Sequence, residues 1–176
     1  ERLPGAGSVV VLEERLSGEE ASLFFACSGP HYVALPTARD YKRLCDHDKG
    51  PNTGGMGAVS PHPTLPDTLV HNIGETMVAP VLRRFVAQET PYQGFLYVGV
   101  MLTAAGPRLL EFNVRLGDPE TQVILPRLQL GVWTDLCERM AQGEPLPEVL
   151  VQRERYACAV VLAAPGYPDA PRSAPV

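Results

Sequence analysis

No apolar run in the chain approaches the roughly 20 residues that a membrane-spanning helix requires, so the sequence offers no α-helical span. A basic excess is also missing. Fifteen Lys and Arg stand against 20 Asp and Glu, a formal net charge of −5. A protein whose main partner is nucleic acid carries the opposite balance. The single Trp and six Tyr form no stripe on which bases could stack. Lysine is scarce, with only Lys42 and Lys49. The four cysteines, Cys27, Cys45, Cys137 and Cys158, are scattered and show no zinc or redox spacing. They read as reduced thiols of a cytoplasmic protein. The four histidines, His31, His47, His62 and His71, make neither a triad nor a metal spacing and read as surface or loop residues. Repeats and low-complexity tracts are absent. The opening Glu1-Arg2-Leu3-Pro4 has no secretion-signal character and reads like the middle of something, and "GYPDAPRSAPV" closes no element. The expectation is a piece of a longer chain, partnered by the missing parts of its own parent.

What is present suits one sizeable domain with a real core. Val9 to Leu12 is a β-branched, apolar run that predicts a buried strand. "ASLFFAC" and "HYVALP" flank Ser28-Gly29-Pro30 and predict a hairpin. Pro36 to Pro63 reads as one long irregular stretch, a length that usually marks function or disorder. A helix should follow, capped by Thr64, with Leu69, Ile73, Met77 and Val81 at four-residue spacing and an interruption at Pro80. "GFLYVGVMLT" and "RLLEFNVRL" around Ala104-Ala105-Gly106-Pro107 predict a second hairpin. Asp118 should cap a further helix with Pro119 in its first position. Val132, Trp133, Leu136 and Met140 mark one more helix, and "YACAVVLAA" a last buried strand. Hairpins interleaved with helices make the class α+β.

Three stretches carry chemistry. In "LLEFNVRLGDPETQ" the apolar Leu110, Phe112, Val114 and Leu116 alternate with Glu111, Asn113 and Arg115. Residues i and i+2 of a strand share a face, about 7 Å apart. A carboxylate and an amide oxygen so placed can hold a hard cation together with phosphates. Arg115, one step on, can neutralise charge on a transferring phosphoryl group. The bland alternative is a solvated face with an internal Glu–Arg pair. The second stretch is "DKGPNTGGMGAVSP", with four glycines between Gly50 and Gly57. Such backbone can turn amides toward an anion. Asp40, Lys42 and Arg43 lie just upstream. No Gly-Lys-Ser/Thr follows, so it is not a Walker loop, and a mobile surface loop is the alternative. The third is "VVVLEERLSGEE": an extended segment after a buried strand can offer backbone groups to an adenine edge and an acid to ribose hydroxyls.

In this order the pieces resemble an ATP-grasp ligase. More narrowly, "EERLSGEEAS", "DYKRLCDHDKGPNTGGMG", "PYQGFLYVGVMLT" and "LEFNVRLGDPETQVILPRL" resemble the glycinamide ribonucleotide synthetase (phosphoribosylamine–glycine ligase) family. The resemblance implies an incomplete ATP-grasp domain: an antiparallel sheet with hairpins and flanking helices over residues 1–155, and the start of a C-terminal domain at 156–176. It implies ATP-dependent joining of glycine to phosphoribosylamine through a glycyl phosphate, in purine synthesis. The substrates would be ATP, glycine and phosphoribosylamine, with magnesium (or manganese) as cofactor and no nucleic-acid or membrane partner. Glu13, Glu14 and Leu16 would lie at the adenine hinge and Glu20 at the ribose. Glu111 and Asn113 would hold the metal. Arg115, Asp118 and Glu120 would act at the reacting groups, the two acids beside the glycine ammonium. Lys42, Arg43, Asn52, Thr53, Gly54, Gly55 and Gly57 would belong to a closing substrate loop. The chain departs from the family pattern at Tyr41, where His is usual, at Arg39 and Val59, where Gln and an aromatic are expected, and at Arg15, where the hinge is usually apolar. The competing readings are another ATP-grasp ligase, such as a carboxylase or a formate-dependent transformylase, and a non-catalytic nucleotide-binding module of the same fold.

Overall fold

From Ala21 to Cys27 the chain has one polar side chain, Ser22, in seven residues. A strand of that composition must be covered on both faces, and the fold is arranged to do it. The structure, a computed structural model, describes residues 11–173. Strand β1 (Glu19–Ser28) turns through Gly29 into β2 (His31–Ala34). It also pairs antiparallel along its full length with β7 (Gln93–Thr103), which pairs with β8 (Gly106–Asn113). The sheet order is β2-β1-β7-β8. Both predicted hairpins are present.

Alternation along β1 and β7 feeds two cores. Ala21, Leu23, Phe25, Cys27, Leu96, Val98 and Val100 enter one with Val70, Ile73, Val78 and Leu82. Phe24, Ala26 and Tyr97 enter the other with Ile124, Leu128, Leu136 and Met140. The first helical layer is α1 (Asp67–Ile73), a wider π segment (Gly74–Val78) and α2 (Ala79–Ala87). Pro80 has no N–H to offer Thr76, and its ring would crowd that carbonyl in a regular turn. The wider turn relieves this and shifts the buried stripe to Val70, Ile73, Val78 and Leu82. Thr64 is not the cap. Pro66 occupies that place, without a side-chain cap, and the Thr64 hydroxyl turns to Glu19. The second layer is α3 (Glu120–Ile124) with its 3₁₀ extension (Leu125–Arg127), and α4 (Val132–Gln142). Asp118 does not cap α3 either: its Oδ1 accepts from Gln122 Nε2 at 2.6 Å.

The stretch read as irregular contains four short strands: β3 (Arg39–Asp40), β4 (Arg43–Cys45), β5 (Lys49–Asn52) and β6 (Gly57–Ser60). β4 and β5 form a small hairpin, and β3-β6-β9 a second sheet, with β9 spanning Ala157–Val160. Two to four residues per strand leave too short a period to read. Other expectations fail too. Val9 and Val10 lie outside the described residues, while Val11 and Leu12 are exposed and in no strand. β9 is an edge strand, not a buried one, and Leu162 beyond it is 88% exposed. No helix among the described residues is long and apolar enough to cross a membrane. All four cysteines are free thiols.

Ile73 is fully buried between α1 and the sheet. Ile73→Ala should lower stability by about 2–5 kcal/mol. Urea unfolding followed by circular dichroism should show a lower midpoint at unchanged slope.

Candidate functional site

Register decides which side chains meet. Directly opposed residues of an antiparallel pair point to the same face. Glu20 faces Met101, Ser22 faces Gly99 and Phe24 faces Tyr97. Gly99 in turn faces Glu111, and Tyr97 faces Asn113. Glu20, Ser22, Tyr97, Glu111 and Asn113 therefore form one polar patch on the α4 side of the sheet. At the other end of that face, Phe95 stacks on Trp133 of α4, centroids 4.8 Å apart and planes at 6°. Gly99 keeps the patch open: a Cβ there would lie 3.3 Å from Glu111 Cγ and 3.2 Å from Tyr97 Cε1.

Glu111 and Asn113 are a true i, i+2 pair, and Asn113 Nδ2 donates to Glu111 Oε1 at 3.0 Å. The amide oxygen is left for another partner. Phe112 keeps the predicted alternation and packs on the first core, but the pattern breaks to either side of it. A bulge shifts register between Gly99 and Val100, so Leu110 faces no core and is 43% exposed. β8 ends at Asn113, and Arg115 sits in the bend beyond it, donating Nη1 to the Leu116 carbonyl at 3.1 Å. Its charge still reaches the buried Glu120.

The patch opens into a cleft of about 590 Å³ lined by Glu20, Ser22, Asp40, Lys42, Arg43 and Asn52, among others. Lys42 Nζ pairs with the Glu20 carboxylate. Ser22 Oγ and Tyr97 OH share a hydrogen bond of 2.9 Å. Beneath them lie two carboxyl groups. Glu120 is 4% exposed, and burial raises its pKa, against the opposing charges of Lys42 and Arg115. Asp40 Oδ1 is buried without a hydrogen-bond partner. Burial, with the nearby charges of Glu120 and Glu20, lifts Asp40 from 3.8 to about 7 despite Lys42. Two glycines allow this approach. A Cβ on Gly55 (φ +126°) would lie 2.9 Å from Asp40 Oδ1 and 2.5 Å from Pro119 Cδ. A Cβ on Gly117 would lie 2.3 Å from Glu120 Oε2.

The glycine loop is more firmly held than its composition predicts. Only Thr53 to Met56 lie between β5 and β6. Thr53 N and Oγ1 both donate to the Lys42 carbonyl, at 2.7 and 2.8 Å, and Met56 N donates to the Tyr41 carbonyl at 2.8 Å. Gly54 N donates to Tyr167 OH at 3.1 Å. Gly57 sits inside β6, where a Cβ would meet the Ala159 carbonyl at 2.6 Å. Arg43 Nη1 is engaged by the Gly50 carbonyl at 2.8 Å.

The structure thus gathers Glu20, Lys42, Arg43, Asn52, Glu111, Asn113 and Glu120, with Arg115 close by. Asp118 is exposed and meets the site only through its backbone carbonyl, which a Cβ on Gly55 would approach at 3.2 Å. Glu13 and Glu14 are exposed, Leu16 is half-buried, and none of the three lines the cleft. Sequence reading missed Ser22, Tyr97 and Gly99. The available signal was the change from apolar Phe24 and Ala26 to polar Ser22 and Glu20 along one face of β1.

Two oxygen donors on one open face fit a hard cation that completes its shell with phosphates and water. Among the described residues no group of three or more His, Cys, Asp or Glu could hold an ion unaided. Residues 1–121 match the family described as "Phosphoribosylglycinamide synthetase, ATP-grasp (A) domain". The chain belongs to this family. It is 50% identical over 163 residues to a phosphoribosylamine–glycine ligase of Streptococcus pyogenes, covering 93% of this chain and 38% of that protein. A Caulobacter vibrioides protein of the same name is 46% identical over 176 residues, with 98% and 40% covered. The crystal structure of phosphoribosylamine–glycine ligase from Thermotoga maritima superposes with a TM-score of 0.82 at 42% identity, over 91% of this chain and 40% of that one. N5-carboxyaminoimidazole ribonucleotide synthetase from Thermus thermophilus shares the fold alone, with a TM-score of 0.53 at 16% identity. The chain thus spans about two fifths of the length of these synthetase-family relatives.

Asp40 gives the site a pH signature. Its folded pKa of about 7 lies above the ordinary 3.8. The folded state therefore binds the extra proton between these values, and stability falls as pH rises from about 4 to about 7. Asp40→Asn should be more stable than the parent sequence at pH 8, and the gap should close toward pH 4. Melting temperatures across that range will show it.

Proposed function

We propose that this chain supplies the metal-binding face and part of the nucleotide cleft of a phosphoribosylamine–glycine ligase. The observation that carries the reading is the register that sets Glu111 and Asn113 beside Ser22 and Tyr97, on the face that opens into the Glu20–Lys42 cleft. The relatives' names support the choice of ligase.

The chemistry follows from the substrates. A carboxylate is a poor acyl donor. Transfer of the γ-phosphoryl group of ATP to the glycine carboxylate oxygen releases ADP and leaves a glycyl phosphate. The amine nitrogen of phosphoribosylamine then attacks the carbonyl carbon, phosphate departs and the nitrogen loses a proton. A divalent cation such as magnesium, when bound, would supply positive charge to offset that of the phosphates. Glu111 and Asn113 would hold it. Glu20 would accept ribose hydroxyls, and the Glu13–Leu16 segment would run along the adenine. Arg115 would counter charge on the transferring group. Glu120, and Asp118 at greater distance, would favour the glycine ammonium. A carboxyl group near pKa 7, as at Asp40, sits where proton transfer to or from an amine is accessible. The loop carrying Asn52 to Gly57 would border the second substrate and limit water. Residues 1–155 would belong to the ATP-grasp domain and 156–176 to the start of the next, consistent with the exposed Val160 and Leu162. Free thiols throughout suit a cytoplasmic enzyme.

Glycine-dependent ADP release by the full-length protein, with and without phosphoribosylamine, tests the reading. No response to glycine would end it. Glu111→Gln keeps side-chain shape and removes charge. It should lower kcat by about 10²-fold or more with the circular-dichroism spectrum unchanged. Near-normal turnover would remove the metal role from Glu111.

A further inference from the structure

His62 is the one buried histidine, at 4% exposure, although its sequence context reads as surface or loop. It lies between β6 and α1. Its backbone N donates to Thr37 Oγ1 at 3.0 Å. Ring Nδ1 accepts from the Thr64 backbone N at 3.3 Å and lies 3.3 Å from Thr64 Oγ1. Accepting there puts the ring proton on Nε2, which is buried without a partner among the described residues. Burial and the Arg39 charge lower the pKa of His62, against Glu19, so the ring stays neutral near pH 7. Thr64 Oγ1 donates to Glu19 Oε2 at 3.2 Å. Glu19 Oε1 lies 3.1 Å from Arg39 Nη1. The Arg39 guanidinium carbon sits 5.2 Å from the Tyr41 ring centre. Arg39 lines both the 590 Å³ cleft and a neighbouring cavity of about 610 Å³.

An exposed Glu–Arg pair alone fixes little, because two long side chains give up rotamer freedom for a screened attraction. Here the acid is itself held by a hydroxyl, and that hydroxyl belongs to a residue anchored by a buried ring. The far end is a planar cation laid on an aromatic ring, in the wall between two cavities.

We propose that His62 is a positioning residue. Through Thr64 and Glu19 it holds Arg39 so that the guanidinium meets the phosphate of a substrate in a preset orientation. This rests on the ligase reading for the identity of that substrate, and the phosphate belongs to ATP or to the phosphoribosyl group. A preset fork contributes most when no side-chain ordering remains to be done on binding.

The test uses the full-length protein and two probes, ATP and ribose 5-phosphate, with Kd from calorimetry and ADP release measured alongside. Thr64→Val and His62→Phe keep volume and remove the relay. Each should weaken one of the two probes about tenfold and leave the other unchanged, which tells the two phosphate sources apart. Arg39→Gln should weaken the same probe at least as much, and adding Thr64→Val to it should change nothing further. His62→Asn, which retains an acceptor, should restore binding. Binding of that probe by the unsubstituted protein should weaken more steeply at acid pH than binding by the Asn variant, as His62 gains a proton. Additive effects of Thr64→Val and Arg39→Gln, or unchanged Kd values with lowered melting temperatures, would overturn the relay. Failure of the unsubstituted protein to bind either probe would overturn it too. Binding without glycine-dependent ADP release would instead overturn the ligase reading, while the Kd comparison still decides the relay.

Discussion

Most of the structure depends on the double-sided burial of β1. Its backbone pairs on both edges, with β2 and β7, and its side chains enter two separate cores. Such a strand cannot slip by one residue without turning every apolar group to the wrong layer. Its register is therefore fixed, and through β7 so is the position of β8. Glu111 and Asn113, the proposed metal ligands, lie at that end of the chain of pairings. Their orientation is inherited from packing that takes place two strands away.

The polar site is the point where this packing changes character. Along one face, Phe24 and Ala26 are core while Ser22 and Glu20 are not. Carboxyl groups brought against that transition lose water without full compensation, and the raised pKa values of Asp40 and Glu120 are the result. Glycine makes the approach sterically possible at residues 55 and 117. The same local composition that suggested a mobile loop thus serves close contact. Stability given up at Asp40 is the expected companion of a site that handles charge.

Around that site the connectors are tied to one another, not left free. Thr37 receives the Ser60 hydroxyl at 2.6 Å and the His62 amide at 3.0 Å. Arg127, from the extension of α3, donates Nη1 to Ser60 Oγ at 3.2 Å and Nε to the Arg155 carbonyl at 2.9 Å. The segment that leads from β6 into α1 therefore couples the second sheet, the helical layer and the cleft wall.

Local pattern carried a good deal. The two hairpins, the α4 periodicity and the Glu111–Asn113 pair were legible because they need only a period of two or 3.6 and turn residues at fixed offsets. The family resemblance was legible because its motifs are continuous in sequence. Other features were not. The caps at Thr64 and Asp118 failed because both side chains found longer-range or side-chain partners. The bulge at Leu110 depends on a partner strand. Of the short strands between residues 39 and 60, β3 and β6 pair across the intervening hairpin and β6 with the distant β9, while β4 and β5 are too short to show a period. Ser22, Tyr97 and Gly99 joined the site through register alone, and buried His62 had no periodic signal at all. The sequence by itself determined which residues could form strands, helices and the carboxylate–amide pair of Glu111 and Asn113. Tertiary structure decided which side chains share a face, which carboxyl groups lose water and which hydroxyl holds which acid. Those outcomes depend on contacts between residues far apart in the chain, which no local period encodes.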